Sequence, residues 1–236
     1  MAVPTDSDDT FLREVDENLR RDQLRDLGRK YGGWLIGGLF LFLAAVGGWL
    51  YWQDRQRASA AEDSEVLAQI YTDIGSGKTA AIPKRLDTLA GNGKDAVRAT
   101  ALFTRAAVAL EQNDRATATA KYNEIANDDD LAAPYRDLGL IRATSLEFDA
   151  LNPEQVVARM EPLAKPGNPW FGSAGELTAM AMIKQGKKTE AGRLFAAIAA
   201  DRQVPDSIRA RAVQIAGTLG VDASASLSSL NRNEIE

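Results

Sequence analysis

The stretch of residues 34–52 constrains the fold of this chain more than any other part of its sequence. Its letters are WLIGGLFLFLAAVGGWLYW, with no charged residue, no Pro and no Asn. At 1.5 Å per residue, a helix of this length can cross a hydrocarbon core of roughly 30 Å. Trp34 lies at one end and Trp49 and Trp52 lie at the other, where aromatic rings meet lipid headgroups. The sequence therefore predicts a transmembrane anchor over residues 31–53. A buried helix of a soluble domain is the alternative, but such a helix usually keeps a polar stripe.

Glycines add a weaker signal to the anchor. Gly33 and Gly37 are four residues apart, and Ala44 and Gly48 repeat that spacing. Small residues at this spacing let two helix backbones approach closely in a bilayer. Because Gly is common in membrane helices, the same pattern also fits a helix without a partner.

Positive charges predict the orientation of the anchor. Only Arg55 and Arg57 follow it closely, whereas five basic residues precede it: Arg20, Arg21, Arg25, Arg29 and Lys30. Cytoplasmic flanks are rich in Lys and Arg, so we expect a cytoplasmic N-terminus and a domain on the far side of the membrane. A signal peptide cleaved near residues 58–60 is the alternative. The apolar run is longer than the roughly 7–15 residues of such a peptide, which favours an uncleaved anchor.

Residues 1–30 form a predicted cytoplasmic arm. From about Asp9, apolar residues including Phe11, Val15 and Leu19 recur at helical spacing among many charges. This pattern predicts an amphipathic helix, which lies on the bilayer, contacts a partner, or is simply solvated.

The absence of two residue types narrows the possible functions. The chain has no His and no Cys, and its formal net charge is −5. These facts argue against zinc sites, His-assisted nucleophiles and nucleic-acid binding. The segment 75–79 (GSGKT) resembles a phosphate-binding loop, but Thr72 stands where its first glycine is required. We therefore predict a protein with no cofactor, no nucleotide and no enzymatic activity.

Beyond the anchor, the sequence predicts an all-α domain over residues 58–220 and a flexible tail over residues 221–236. Ala and Leu are abundant, and no stretch alternates long enough to form a strand. Turn signals separate the predicted helices, which cover residues 62–74, 81–89, 96–112, 116–126, 132–148, 154–164, 171–185, 189–200 and 207–219.

The turns recur at a nearly constant interval. Gly77, Asn113, Asn152 and Gly186 are 36, 39 and 34 residues apart by subtraction of their numbers. Helix-pair repeats have this period, and the tetratricopeptide repeat has about 34 residues. The predicted fold class is therefore a divergent tetratricopeptide-like α-solenoid of helical hairpins.

Small residues at helix crossings support this register. Ala106 and Ala118 are twelve apart across one turn, as are Ala179 and Ala191 across another. The third hairpin departs from the pattern, since it has Ser145 at the corresponding place and a long loop at residues 165–169 (KPGNP).

Two pairs of residues are candidates for a protein-binding face. Arg98 and Arg105 are seven residues apart, as are Tyr135 and Arg142, so each pair shares one side of a helix. In a helix-pair solenoid, the first helix of each pair lines the concave surface that binds peptides or partner helices. A solvated face is the alternative interpretation of the same residues.

The order of these features resembles the YfgM-like family, the ancillary subunits of the bacterial Sec translocon of the alphaproteobacterial type. The features are the arm at residues 11–21 (FLREVDENLRR), the segment 29–32 (RKYG), an apolar span ending in Trp49 and Trp52, and divergent repeats. The resemblance implies a single-pass protein of the bacterial inner membrane with a tetratricopeptide-like periplasmic domain. It also implies association with the SecYEG channel and a PpiD-type periplasmic chaperone, and no catalytic residues.

The sequence and this resemblance together predict a non-enzymatic binding module that helps newly exported proteins as they leave the translocon. A scaffold for another envelope complex, in division or outer-membrane maintenance, is the alternative.

Overall fold

The computed structural model describes the backbone of residues 6–93 and 95–226. It describes the side chains of residues 33–34, 37–55, 61–93 and 95–226. Side chains of the predicted arm, residues 1–30, lie outside the described residues, and so do residues 227–236 of the predicted tail.

Every regular element in the described backbone is helical, which confirms the all-α fold. The α-helices are α1 (Asp6–Gly75), α2 (Ile82–Asn92), α3 (Asp95–Glu111), α4 (Arg115–Ala126), α5 (Ala133–Glu147), α6 (Pro153–Met160), α7 (Phe171–Lys184), α8 (Lys188–Ala200) and α9 (Asp206–Thr218). A short 3₁₀ helix, η1 (Ser224–Ser226), follows. From α3 onward the helices agree closely with the predicted ones, except that α6 ends at Met160 and not at residue 164. The predicted helix at residues 62–74 is the last part of the longer α1, and α2 continues to Asn92, past the predicted end at residue 89.

The chain divides into two compact units, Met1–Ala61 and Glu62–Glu236. In the residues that the structure describes, no helical stretch is both long and apolar enough to cross a membrane. The side chains of residues 31, 32, 35 and 36 of the predicted anchor are outside that description. The apolar run described without interruption, from Gly37 to Trp52, is shorter than the roughly 20 residues of a spanning helix. The transmembrane helix predicted at residues 34–52 is therefore not confirmed.

The second unit is built from helix pairs joined by tight turns. We call the part of α1 from Glu62 to Gly75 together with α3, α5 and α7 the first helices, and α2, α4, α6 and α8 the second helices. Three turns within pairs have one residue in the left-handed conformation: Gly77 with φ 75°, Asn113 with φ 59° and Gly186 with φ 80°. Gly and Asn tolerate this conformation best, which explains their presence there.

Hydrogen bonds at these three turns are the same. The amide that follows the left-handed residue donates to a carbonyl five residues back: Lys78 to Asp73, Asp114 to Ala109 and Lys187 to Met182. This is the bond of a Schellman cap, which ends a helix and satisfies its last carbonyls. The predicted period of the turns thus has a structural counterpart, and residues 75–79 form the turn between α1 and α2.

Buried alanines bring the helices together in two of the regular pairs, α3–α4 and α7–α8. Ala106 and Ala118, like Ala179 and Ala191, are fully buried. A side chain no larger than a methyl group at both positions allows close packing. Aromatic side chains on the second helices, Tyr122 and Phe195, complete the two cores to which these pairs belong.

The third pair is different. Ser145 is exposed, and α6 is shorter than the other second helices. Val156 and Met160 of α6 join a separate cluster with Leu163 and Ala181 of α7. The short helix therefore packs mainly on the following first helix, α7, and leaves one side of α5 less covered.

Packing continues beyond the predicted start of the tail. Gly192 of α8 lies so close to Val221 that a Cβ there would be 2.7 Å from the Val221 Cγ2. Ala223 is buried in the same C-terminal core. The segment from Val221 to Ala223 therefore belongs to the folded domain, which differs from the tail boundary predicted at residue 221.

Candidate protein-binding groove

The repeat register separates a buried face of the first helices from an open one. Ile70, Ala106 and Ala179 each lie seven residues before a left-handed turn residue, Gly77, Asn113 or Gly186. Their spacings are therefore also 36 and 73 residues. All three are fully buried, and the residue that follows each of them is exposed. A single register therefore defines which positions of the first helices are available to a partner.

Arg98 and Arg105 of the predicted binding face lie on the side of α3 that faces the second helices. The Nη2 of Arg98 is 2.8 Å from the Oδ2 of Asp128, without the alignment of a hydrogen bond, and the Nε of Arg105 is 3.5 Å from the Oδ2 of Asp87. Asp87 belongs to α2, and Asp128 follows α4. Phe171 and Thr178, the positions of α7 that lie 73 residues later, are both buried. Both arginines thus connect helices to one another.

Tyr135 and Arg142 have different surroundings from each other. Tyr135 is half-buried and packs against the N-terminal core. Arg142 is exposed, and among the described residues it makes no ion pair. The structure therefore brings Arg142, but not Arg98 or Arg105, to the surface that we describe next.

A groove with a volume of about 390 Å³ lies between α5, α7 and α9. Its apolar lining residues are Leu138, Ile141, Trp170 and Leu177, and its polar lining residues are Arg142, Ser145, Ser173, Glu176 and Arg211. Since α5 and α7 are both first helices, this groove lies on the face where the sequence predicts partner binding. We call it the α5–α7–α9 groove.

Arg211 and Glu176 form a bidentate pair across the groove. The Nε and Nη2 of Arg211 each donate a hydrogen bond of 2.6 Å to one carboxylate oxygen of Glu176. This pairing raises the pKa of Arg211 above its already high ordinary value. The pair ties α9 to α7 and neutralises the carboxylate, so the unpaired positive charge of the groove belongs to Arg142.

Trp170 is held in place by the turn before α7. Its amide donates a 2.8 Å hydrogen bond to the Oδ1 of Asn168, and the amide of Phe171 donates to the Asn168 carbonyl. Gly167, with φ 85°, provides the left-handed residue of this turn. The loop at residues 165–169, a departure from the regular repeat, thus positions a half-buried aromatic side chain at the groove.

Side chains from other helices cap the end of α5. Arg115 Nε donates a 3.2 Å hydrogen bond to the Leu146 carbonyl. The Nζ of Lys184, on α7, lies 2.9 Å from the Oδ1 of Asp149 and 4.3 Å from the centre of the Phe148 ring. The hydrogen bond and positive charge of Lys184 lower the pKa of Asp149. The third pair lacks a left-handed turn residue; Arg115 serves the Leu146 carbonyl in its place, and Lys184 holds the residues that follow α5.

A comparison of the sequence with models of known protein families identifies the family of this chain. The sequence model of the tetratricopeptide repeat-like domain matches residues 28–218. The chain belongs to this family. No curated protein and no solved structure matches it significantly. Membership confirms the predicted tetratricopeptide-like repeats, and the fold of the tetratricopeptide repeat-like family indicates a protein-interaction module.

Sequence reasoning missed Trp170, Glu176 and Arg211 of this tetratricopeptide repeat-like domain. Applying the repeat register to α7 would not have found Glu176, because the equivalent positions of the earlier pairs, Leu67 and Phe103, pack against the N-terminal core. Nothing local in the sequence indicates that Arg211 of α9 would reach α7. An apolar wall beside a free guanidinium can hold a peptide by burial and by one charge-assisted hydrogen bond.

The residues assigned to the anchor lie in the first unit. Trp34 is 83% exposed, and Trp49 and Trp52 are each 60% exposed. Apart from its chain neighbours and the backbone of its own helix, no described atom lies within 4 Å of the place that a Cβ would take at Gly37. These residues therefore present an uncovered helix surface, and their role in a membrane remains a prediction.

Proposed function

We propose that this tetratricopeptide repeat-like chain is a non-enzymatic binding module tethered to the bacterial inner membrane. In this proposal it acts beside the SecYEG translocon, together with a PpiD-type chaperone, on newly exported proteins. The observation that carries the binding function is the α5–α7–α9 groove. It combines an apolar wall and an unpaired guanidinium on the open face of the first helices.

The side chains of the first unit support the tether. Five consecutive large apolar residues, from position 39 to position 43, are each more than half exposed: Leu39, Phe40, Leu41, Phe42 and Leu43. Consecutive residues point in all directions around a helix, so no single packing surface would cover them. Hydrocarbon surrounds such a helix on every side, and therefore lipid is the proposed environment.

The extent of the family match also supports a functional role for this stretch. The match begins at residue 28, before the apolar run, and continues through the repeats to residue 218. The apolar run thus lies inside the stretch that the family model matches. In the proposal it limits the binding domain to the membrane surface, where tethering raises the effective concentration of weak binding sites.

The proposed absence of enzymatic activity is argued from residue types. The chain has neither His nor Cys, the side chains that most often act as bases and nucleophiles near neutral pH. The chemistry left to the groove is recognition by burial, hydrogen bonding and charge.

Photo-crosslinking in cells tests the proposed location. A photoreactive amino acid at Leu41 or Trp49 should capture SecY, SecE or SecG. The same group at Arg193, an exposed position of α8, is the matched control and should not give these products. Capture only of division or outer-membrane maintenance proteins would overturn the translocon assignment in favour of an envelope scaffold.

Two further measurements test the tether itself. A periplasm-active reporter fused after Glu236 should be active, and an inactive fusion would refute the orientation. The double variant Leu41→Arg/Phe42→Arg should move the chain from the membrane pellet to the supernatant after alkaline extraction. Ala107→Arg, at an exposed position of α3, should stay in the pellet. Extraction of the unaltered chain by alkali alone would refute the anchor.

A further inference from the structure

The α5–α7–α9 groove has a charge pattern that specifies more than protein binding in general. Its two arginines are in different states, although both line the groove. Arg211 is neutralised by two hydrogen bonds from its guanidinium to Glu176. Arg142 is exposed, and no described carboxylate pairs with it. The groove therefore has a local charge of about +1 in a chain whose formal net charge is −5.

The apolar part of the groove lies directly beside this charge. Ile141, the neighbour of Arg142 in the chain, is 6% exposed and forms part of the groove floor. Leu138 is one helical turn before Arg142, and Leu177 is on the facing helix α7. An apolar side chain bound against these residues would leave its neighbours in the same peptide within reach of the guanidinium.

Preorganisation of Trp170 and Glu176 favours a ligand of defined shape. The turn at Asn168 fixes the backbone of Trp170, and the bidentate pair fixes the carboxylate of Glu176. Because these groups are ordered before binding, little conformational entropy is lost when a ligand arrives. The volume of about 390 Å³ is at the small end of the range for ligand pockets, which suits a few side chains.

We propose that the α5–α7–α9 groove recognises a short segment of a partner polypeptide in which an aliphatic or aromatic residue is adjacent to an Asp or Glu. The apolar residue packs on Trp170, Leu138 and Leu177, and the carboxylate accepts hydrogen bonds from the Arg142 guanidinium. The hydroxyls of Ser145 and Ser173 are positioned along the same groove to bond the peptide backbone. This inference rests on the proposed protein-binding function, and it deepens that function by naming the class of ligand.

Fluorescence anisotropy with matched peptides tests this ligand class. The probes are fluorescein-labelled decapeptides of Gly and Ser that contain one Leu-Glu, one Leu-Gln or one Leu-Lys pair. The protein is the full chain in dodecyl maltoside micelles. We expect the Leu-Glu probe to bind about fivefold more tightly than the Leu-Gln probe, and the Leu-Lys probe to bind least.

Two arginine variants locate the effect. Arg142→Gln should remove the preference for Leu-Glu over Leu-Gln, because the guanidinium that takes the carboxylate is lost. Arg193→Gln removes an exposed arginine of α8, outside the groove, and should keep the preference. If Arg142→Gln keeps the preference, or if Leu-Lys binds as tightly as Leu-Glu to the unaltered chain, the inference is overturned. Circular dichroism of Arg142→Gln should match that of the unaltered chain, because this exposed side chain makes no ion pair within the described part of the chain.

The acidic end of the chain itself is the alternative occupant, and a separate variant tests it. Residues 227–236 include Glu234 and Glu236. The variant Glu234→Gln/Glu236→Gln should bind the Leu-Glu probe with unchanged affinity if the groove is open to partners. A tenfold gain in affinity would show an intramolecular occupant and overturn the proposal of a partner segment.

The peptide-binding experiments test the ligand class, and the crosslinking experiments test the proposed location, so the two proposals can fail separately. Crosslinking to SecY from Leu41 does not depend on Arg142 in the proposal, so it should persist in Arg142→Gln. Crosslinks that form while the peptide preference is absent refute this inference alone. A clear peptide preference without translocon crosslinks refutes the location alone.

Discussion

Gly139 of α5 should not accept a larger side chain without a loss of stability, because α4 packs closely against it. A Cβ added there would lie 2.9 Å from Ile125 Cγ2 and 3.0 Å from the Tyr122 carbonyl oxygen, both on α4. Carbon atoms in contact prefer about 3.5–4.0 Å, so α4 and α5 would have to move apart. Ile125 is fully buried and cannot move into solvent.

The cost of Gly139→Ala follows from two opposing effects. Overpacking in a close-packed interior destabilises by about 1–3 kcal/mol. Ala is more favourable than Gly inside a helix by about 1 kcal/mol, which offsets part of that cost. We therefore expect the free energy of unfolding to fall by about 1 kcal/mol.

Gly217 of α9 provides a matched control for this substitution. No atom lies within 4 Å of the place that a Cβ would take at Gly217, and its φ is not positive. Gly217→Ala should therefore raise the free energy of unfolding by roughly 0.5–1 kcal/mol. The same added methyl group thus has opposite predicted effects at the two sites.

Urea denaturation of the full chain, followed by circular dichroism at 222 nm, measures the difference. With a slope of about 2 kcal/mol per molar urea, the midpoint should fall by about 0.5 M in Gly139→Ala and rise in Gly217→Ala. A rise of the midpoint in both variants would refute the close approach of α4 and α5.

Three other substitutions test contacts that hold the helices in place. Arg209→Met should lower the free energy of unfolding, measured from urea midpoints, by about 2–3 kcal/mol, because the Arg209 side chain is 2% exposed and its Nε donates a hydrogen bond to the Ala199 carbonyl at the end of α8. Arg115→Ala should cost about 1 kcal/mol in the same assay through loss of the cap on α5, and an unchanged midpoint would contradict that role. Lys184 lowers the pKa of Asp149 below its ordinary 3.8, so their pairing stabilises the fold above about pH 4 and the effect is lost as the pH falls through the lower folded pKa. Asp149→Asn should therefore lower the urea midpoint at pH 7, and the loss should shrink as the pH falls below the ordinary pKa of Asp149; an equal loss at every pH would exclude the pairing.

The regular repeats were predictable because their signals are local. Gly77, Asn113 and Gly186 end their helices through backbone conformation within a few residues. Ala106 and Ala118 recur at the spacing that brings small side chains together across a turn. Such signals depend on neighbours in the chain and are visible in its letters.

The binding face was only partly predictable. The sequence does not distinguish Arg98, Arg105 and Arg142, since each lies in a predicted first helix between small and apolar residues. In the fold, the first two pair with acidic side chains on or beside the second helices, and Arg142 faces the groove. Helical periodicity shows which residues share a side of a helix, but the packing of neighbouring helices determines which side is covered.

The sequence alone determined the all-α class, most of the helix ends from α3 onward, the repeat period and the apolar stretch at residues 34–52, because these depend on patterns within one or two turns of chain. Tertiary structure decided where the groove forms. Arg142 and Arg211 are far apart in sequence and line one groove only because the short α6 packs on α7 and α9 packs back across it. Long-range packing of this kind depends on how several helices fill space together, and no single segment encodes it.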